Sequence, residues 1–87
     1  MSHLRLRILG CTRGYITICI GKKSMQVGCE TFIRGHGSPD FVVYKNTIVK
    51  WDPPFDTEMI DDSDRERIVD ELTKVMRTEK QWSVEVE

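Results

Sequence analysis

The sequence predicts an α+β domain: an antiparallel meander of about five to six strands with one amphipathic helix packed on one face. Three observations carry this. Short segments alternate apolar and polar residues between turns marked by Gly, Asn and Pro. A single stretch from Ser63 to Met76 joins a helix-start signature to an apolar stripe at helical spacing. Between sheet and helix, Lys50-Trp51-Asp52-Pro53-Pro54 ends a β-branched, aromatic segment at a double proline, which removes backbone donors and fixes φ.

Leu4, Leu6 and Ile8 alternate with Arg5 and Arg7, the pattern of a half-buried strand, and Gly10 to Gly14 ends it. Tyr15 to Ile20 follows, with Ile16, Ile18 and Ile20 on one face. Gly21-Lys22-Lys23-Ser24 has hairpin turn chemistry, and Met25 to Ile33 returns as the next strand, where Gly28 suggests a bulge. Gly35 to Asp40 reads as a loop. Phe41–Tyr44 and Thr47–Trp51 flank Lys45-Asn46 as a tight hairpin. Residues 52–62 then form an acidic, Pro-rich connection, expected to be extended. In the helix, Ser63 and Glu66 fit a capping box, and Ile68, Val69, Leu72, Val75 and Met76 form the stripe that packs on the sheet. Trp82, Val84 and Val86 alternate with polar residues, a last short strand.

Size and composition narrow the function. With 87 residues, the chain reads as one small domain over residues 1–87. A domain of this size buries roughly 60% of its unfolded surface, which leaves little room for an internal active-site cavity. Hydrophobic residues at 39% and charged residues at 31% fit a soluble globular protein rather than a disordered chain. No apolar run approaches the roughly 20 residues of a membrane span, and the arginine-interrupted start does not fit a secretory signal. A cytoplasmic, membrane-free protein is the expectation. Cys11, Cys19 and Cys29 are an odd set without a pairing motif and read as free thiols, although Cys19 and Cys29 on neighbouring strands leave a disulfide open. With His3 and His36 the cysteines show no metal-ligand spacing, so no metal and no cofactor is expected.

Charge divides along the chain. Residues 1–51 hold eight basic and two acidic residues, a net +6, and residues 52–87 hold five basic and twelve acidic residues, a net −7. From Asp52 to Asp64 there are six carboxylates and no Lys or Arg. Asp61, Asp62 and Asp64 suit a helix N-terminus, where they complement the dipole. Helix physics leaves Asp52, Asp56 and Glu58 unexplained, and a row of carboxylates suits a positively charged partner. The arm lacks the ligand spacing and glycine of a calcium loop. Trp51 serves either as a large core residue or, if exposed, as an interface anchor. Gly35-His36-Gly37 opens no helix and matches no phosphate-binding motif. The basic residues Arg5, Arg7, Arg13, Lys22, Lys23 and Arg34 lack the aromatic interleaving of a nucleic-acid face, and the pI of about 6.1 is not basic.

Arg13-Gly14-Tyr15-Ile16-x-Ile18, Phe41-Val42-Val43-Tyr44 and Ile48-x-x-Trp51-x-Pro53-Pro54, followed by the acidic stretch and the Ile68/Leu72/Met76 helix, resemble the immunity protein 74 family of bacterial polymorphic toxin systems. The resemblance spans residues 12–87, with the Trp-x-Pro-Pro junction as its most specific element. It implies a cytosolic, non-enzymatic antidote that binds and neutralises a cognate toxin domain, with no catalytic residues to carry over. The surface expected to bind that toxin is Trp51, Asp52, Asp56, Glu58, Asp61 and Asp62. Two alternatives stand beside it: a small nucleic-acid-binding module using the basic N-terminal half, and a small enzyme centred on His36 and Asp40. Toxin identity, oligomeric state, and the choice between the acidic arm and the sheet edge at Trp82–Val86 stay open.

Overall fold

Period-2 alternation produces the sheet. The computed structural model describes residues 5–32 and 40–87. The expectations for Leu4, for the end of the strand at Ile33, and for the loop with Arg34 and His36 lie outside them. Among the described residues five strands form one sheet in chain order: β1 (Leu6–Cys11), β2 (Tyr15–Ile20), β3 (Lys23–Thr31), β4 (Phe41–Val43) and β5 (Val84–Val86). One helix, α1 (Asp62–Thr78), completes an α+β fold. The first four strands run as an antiparallel meander, and β5 adds to β4 in parallel. The chain returns through α1 to reach β5, and that crossover is what makes the last pairing parallel.

Register sets the faces. Ile8, Ile18 and Met25 stand opposite one another across β1, β2 and β3, as do Cys29, Val43 and Val86 across β3, β4 and β5. Apart from Val86, which is exposed at the end of β5, these residues join Ile16, Val27, Phe41 and Val84 in an apolar face that shares one core with the helix. Cys19 pairs with Ser24, on the face opposite Cys29, so the two thiols point to opposite sides of the sheet and stay free. Burial raises the Cys29 thiol above its ordinary pKa. The β2–β3 turn is a two-residue hairpin, with Gly21 at φ 63° supplying the conformation an L side chain resists.

Two strand expectations are corrected. Gly28 sits in regular β2–β3 register, and the bulge falls instead in β1, between Ile8 and Gly10, leaving Leu9 59% exposed. Thr47–Trp51 is not a strand hairpinned onto β4, because β5 takes that edge: Lys45 N donates to Glu87 O and Glu87 N to Val43 O, each at 2.9 Å. Lys45–Thr47 instead makes one 3-10 turn that redirects the chain along the free part of β3. Tyr44 N donates to Gly28 O (2.9 Å), Gly28 N to Thr47 Oγ1 (2.8 Å), and Asp52 N to Ser24 O (2.8 Å). The segment therefore covers the β3 edge without forming a ladder.

The helix buries Ile68, Val69, Leu72, Val75 and Met76 as its spacing predicts. Its start is corrected. Asp61, with φ −84° and ψ 177°, is the N-cap: its side chain accepts from Asp64 N at 2.8 Å, and Arg65 N donates to Asp61 O at 2.9 Å. A carboxylate is an anion as well as an acceptor, so at the positive end of the helix it supersedes the Ser63 hydroxyl and draws the first turn two residues earlier. Arg65 Nε donates to Ile48 O (2.9 Å), tying the first turn to the edge-covering segment.

A Cβ built on Gly28 would lie 2.7 Å from Thr47 Cγ2, closer than atoms tolerate. Gly28→Ala is expected to lower stability by about 1–3 kcal/mol in chemical denaturation. Thr47→Ser keeps the hydroxyl that accepts from Gly28 and removes the clashing methyl. The double variant Gly28→Ala/Thr47→Ser should therefore recover most of the loss, a coupling that a double-mutant cycle reads directly.

Candidate functional site: the double-proline arm and its groove

The arm is folded, not extended. Pro53-Pro54 is a cis peptide bond, and Phe55 N donates back to Asp52 O (3.0 Å) while Glu58 N donates to Phe55 O (3.1 Å). These successive turns reverse the chain, so that Met59 bridges antiparallel to Lys50. Two prolines prevent continuation of the β3 edge cover, and the backbone satisfies itself within the loop.

This looped arm separates the six predicted residues. Trp51 is half-buried and packs against the core, so it is both core margin and groove wall. Asp52 is exposed and accepts from Ser24 Oγ at 3.3 Å. Glu58 pairs with Lys23 Nζ at 2.5 Å. Asp61 caps the helix, and Asp62, its side chain 97% exposed, meets Arg65 Nη1 at 2.5 Å. Asp56, half-buried, makes no hydrogen bond or ion pair among the described residues. The structure thus brings Trp51 and Glu58 together around Lys23 and places Asp61 and Asp62 apart from them, at the helix start.

Three residues that the sequence reading did not assign to this surface complete the site. Phe55 stands beside Trp51, with Lys23 Nζ 5.6 Å from the Phe55 ring centre and 5.9 Å from that of Trp51. Met59 is 82% exposed. A groove runs from here along α1, with Ile20, Trp51, Phe55, Ile68 and Val75 among its apolar lining. Phe55 and Met59 carried a signal, two apolar residues inside an acidic loop. Lys23 carried none, since its approach to the arm is a tertiary contact.

The charge division of the sequence does not become a division of the surface. Arg5 meets Glu79 at 2.8 Å, Lys23 meets Glu58, and Lys45 meets Glu66 at 3.9 Å, each pair joining the basic first half to the acidic second half. The sheet face turned away from the helix mixes Arg7 with Glu30 and Glu85. There Tyr44 Oη donates to Glu30, which pushes the phenol up to about 12. Of the proposed enzyme pair, Asp40 accepts from Ser83 N at 3.0 Å, a structural bond that starts β5, and His36 lies outside the described residues. At the Trp82–Val86 edge, Ser83 O faces β4, so Val84 O faces outward, where Arg77 Nη2 donates to it at 2.9 Å. That guanidinium occupies an acceptor an added strand would need. Among the described residues no three His, Cys, Asp or Glu side chains gather as metal ligands, and no helix is long and apolar enough to cross a membrane.

Asp61→Ala is expected to cost about 0.5–2 kcal/mol, as loss of a helix cap does, whereas Ser63→Ala should stay within about 0.5 kcal/mol. Thermal and chemical denaturation of the two variants side by side checks this.

The comparisons with known proteins agree with the resemblance. The family model described as Immunity protein 74 matches residues 8–87, nearly the whole chain. No curated protein and no solved structure gives a significant match. A match of that extent, on a fold that carries the Trp-x-Pro-Pro junction into a folded acidic arm, makes this chain a member of the immunity protein 74 family.

Proposed function

We propose that this protein neutralises a cognate toxin domain by binding it in the bacterial cytosol, without catalysis of its own, through the arm and the mouth of the adjoining groove. The observation that carries this reading is Met59. It stands 82% exposed at the end of the arm, beside a groove walled by Trp51 and Phe55. A solvent-open apolar side chain next to aromatic surface, with charged residues around it, has the anatomy of an interface hot spot. The family supplies the class of partner, a toxin.

The carboxylates have a second task in this reading. Asp52 and Asp62 are exposed and each makes one contact, Asp56 is half-buried and unpaired among the described residues, and the three draw a basic surface toward the arm and speed encounter. Asp61 contributes through the helix start that it caps. A standard interface takes about 800 Å² from each partner, so in this reading the arm, the groove mouth and the first turn of α1 act together.

The test is affinity for the cognate toxin domain, measured by calorimetry at about 0.15 M salt. Met59→Asp should weaken binding at least tenfold, and the charge reversal Asp52→Lys/Asp56→Lys/Glu58→Lys should weaken it further and slow association. Unchanged affinity in both variants would remove the arm from the interface. Retention of nuclease-sensitive material instead of toxin would move the function to nucleic acid.

A further inference from the structure

We propose that Trp51, Phe55 and Glu58 form a cage for a cationic side chain, filled by Lys23 in the free protein and by an arginine or lysine of the toxin in the complex. The inference rests on the toxin-binding reading above and names the chemistry the arm recognises. Its basis is a convergence of three groups on one atom. Lys23 Nζ lies 5.6 Å from the Phe55 ring centre, 5.9 Å from the Trp51 ring centre and 2.5 Å from Glu58 Oε1. Both rings fall within the roughly 6 Å at which an aromatic quadrupole attracts a cation, and the carboxylate supplies the counter-charge.

Sequence explains why the cage exists. Trp51 ends the β3 edge cover, and the turns of the Pro53-Pro54 arm bring Phe55 and Glu58 back beside it. Lys23 opens β3 directly after the hairpin turn, so its long side chain reaches across to the arm. Its hold is of a kind easily exchanged. The ammonium sits on a flexible stem, the Lys23 side chain is 33% exposed and that of Glu58 is 48% exposed, and ion pairs at such positions contribute little net stability. Lys23, Trp51, Phe55 and Glu58 all line the same open groove, so an incoming side chain reaches the cage without the fold opening.

Arginine fits this cage better than the resident lysine. A planar guanidinium stacks on Trp and Phe faces and can engage both oxygens of Glu58, whereas an ammonium acts as a point charge. Exchange would release Lys23 to water and put the partner's cation between the two rings, next to the exposed Met59. The half-buried carboxylate of Asp56, unpaired among the described residues, favours the same charge.

The probes are N-acetyl-arginine amide and N-acetyl-lysine amide, with N-acetyl-glutamine amide as neutral control. Each is titrated against indole fluorescence in a Trp82→Phe background, which leaves Trp51 as the reporter. With Lys23→Met, the cationic amides should give a saturable signal at least fivefold stronger in affinity than in the Lys23 protein, arginine ahead of lysine. Glu58→Gln added to Lys23→Met should abolish it. No saturable response in Lys23→Met, or an equal response to the glutamine amide, overturns the cage. If Lys23→Met does not fold, Lys23→Thr, which suits a strand, is read by the same criteria. Against the toxin domain, Lys23→Met should tighten binding about fivefold and Glu58→Gln should weaken it. Toxin that binds but loses affinity, or keeps it unchanged, with Lys23→Met overturns the cage while leaving toxin binding standing. Toxin that does not bind at all overturns the toxin-binding reading, and the amide titration still decides the cage.

Discussion

Burial of one helix stripe against one sheet face is the interaction on which the rest depends. Leu72 and Met76 are fully buried, as are Ile16, Ile18, Met25, Val27 and Val43 opposite them, and burying each such side chain contributes about 1.5–3 kcal/mol. Among the described residues the helix and sheet share one apolar core, and a domain this small depends on it. The helix approaches both edge strands, β1 and β5, so it fastens the sheet across its width. It also fixes where the arm begins and ends, since Arg65 grips Ile48 O while Asp61 caps the first turn.

With that frame in place, electrostatics works locally. The basic residues of the first half find the acids of the second, at Arg5–Glu79, Lys23–Glu58 and Lys45–Glu66. Contacts of this kind add little stability one by one, and their value here is positional. Lys23 holds the returning arm against the start of β3, and the arm in turn presents Met59 to solvent. A net −7 segment and a net +6 segment thus become interleaved surface rather than two opposed faces.

Much of the fold was legible because alternation and helical spacing are local signals. Ile16 and Ile18 with Leu72 and Met76 identified the two buried faces, and Gly21 marked the hairpin. What escaped was decided by competition between distant groups. Thr47–Trp51 has the composition of a strand, but β5 had already taken the β4 edge, and only a tertiary view shows that. Gly28 marked a close approach rather than a bulge, because Thr47 lies against it. Ser63 and Glu66 fit a cap, yet Asp61 offered a stronger one two residues earlier. At the site, Trp51 and the carboxylates were visible in sequence, while the meeting of Glu58 and Phe55 with Lys23 depends on how the double-proline arm turns back.

The central claim is that the folded arm, and not the open sheet face, meets the toxin. Hydrogen–deuterium exchange of the protein alone and saturated with the proposed cognate toxin domain tests this most directly. Protection concentrated in residues 50–62 and at the Gly21-Lys22 turn is the predicted result. An unchanged arm, with protection instead on β2 and β3 around Thr17 and Gln26, would contradict it.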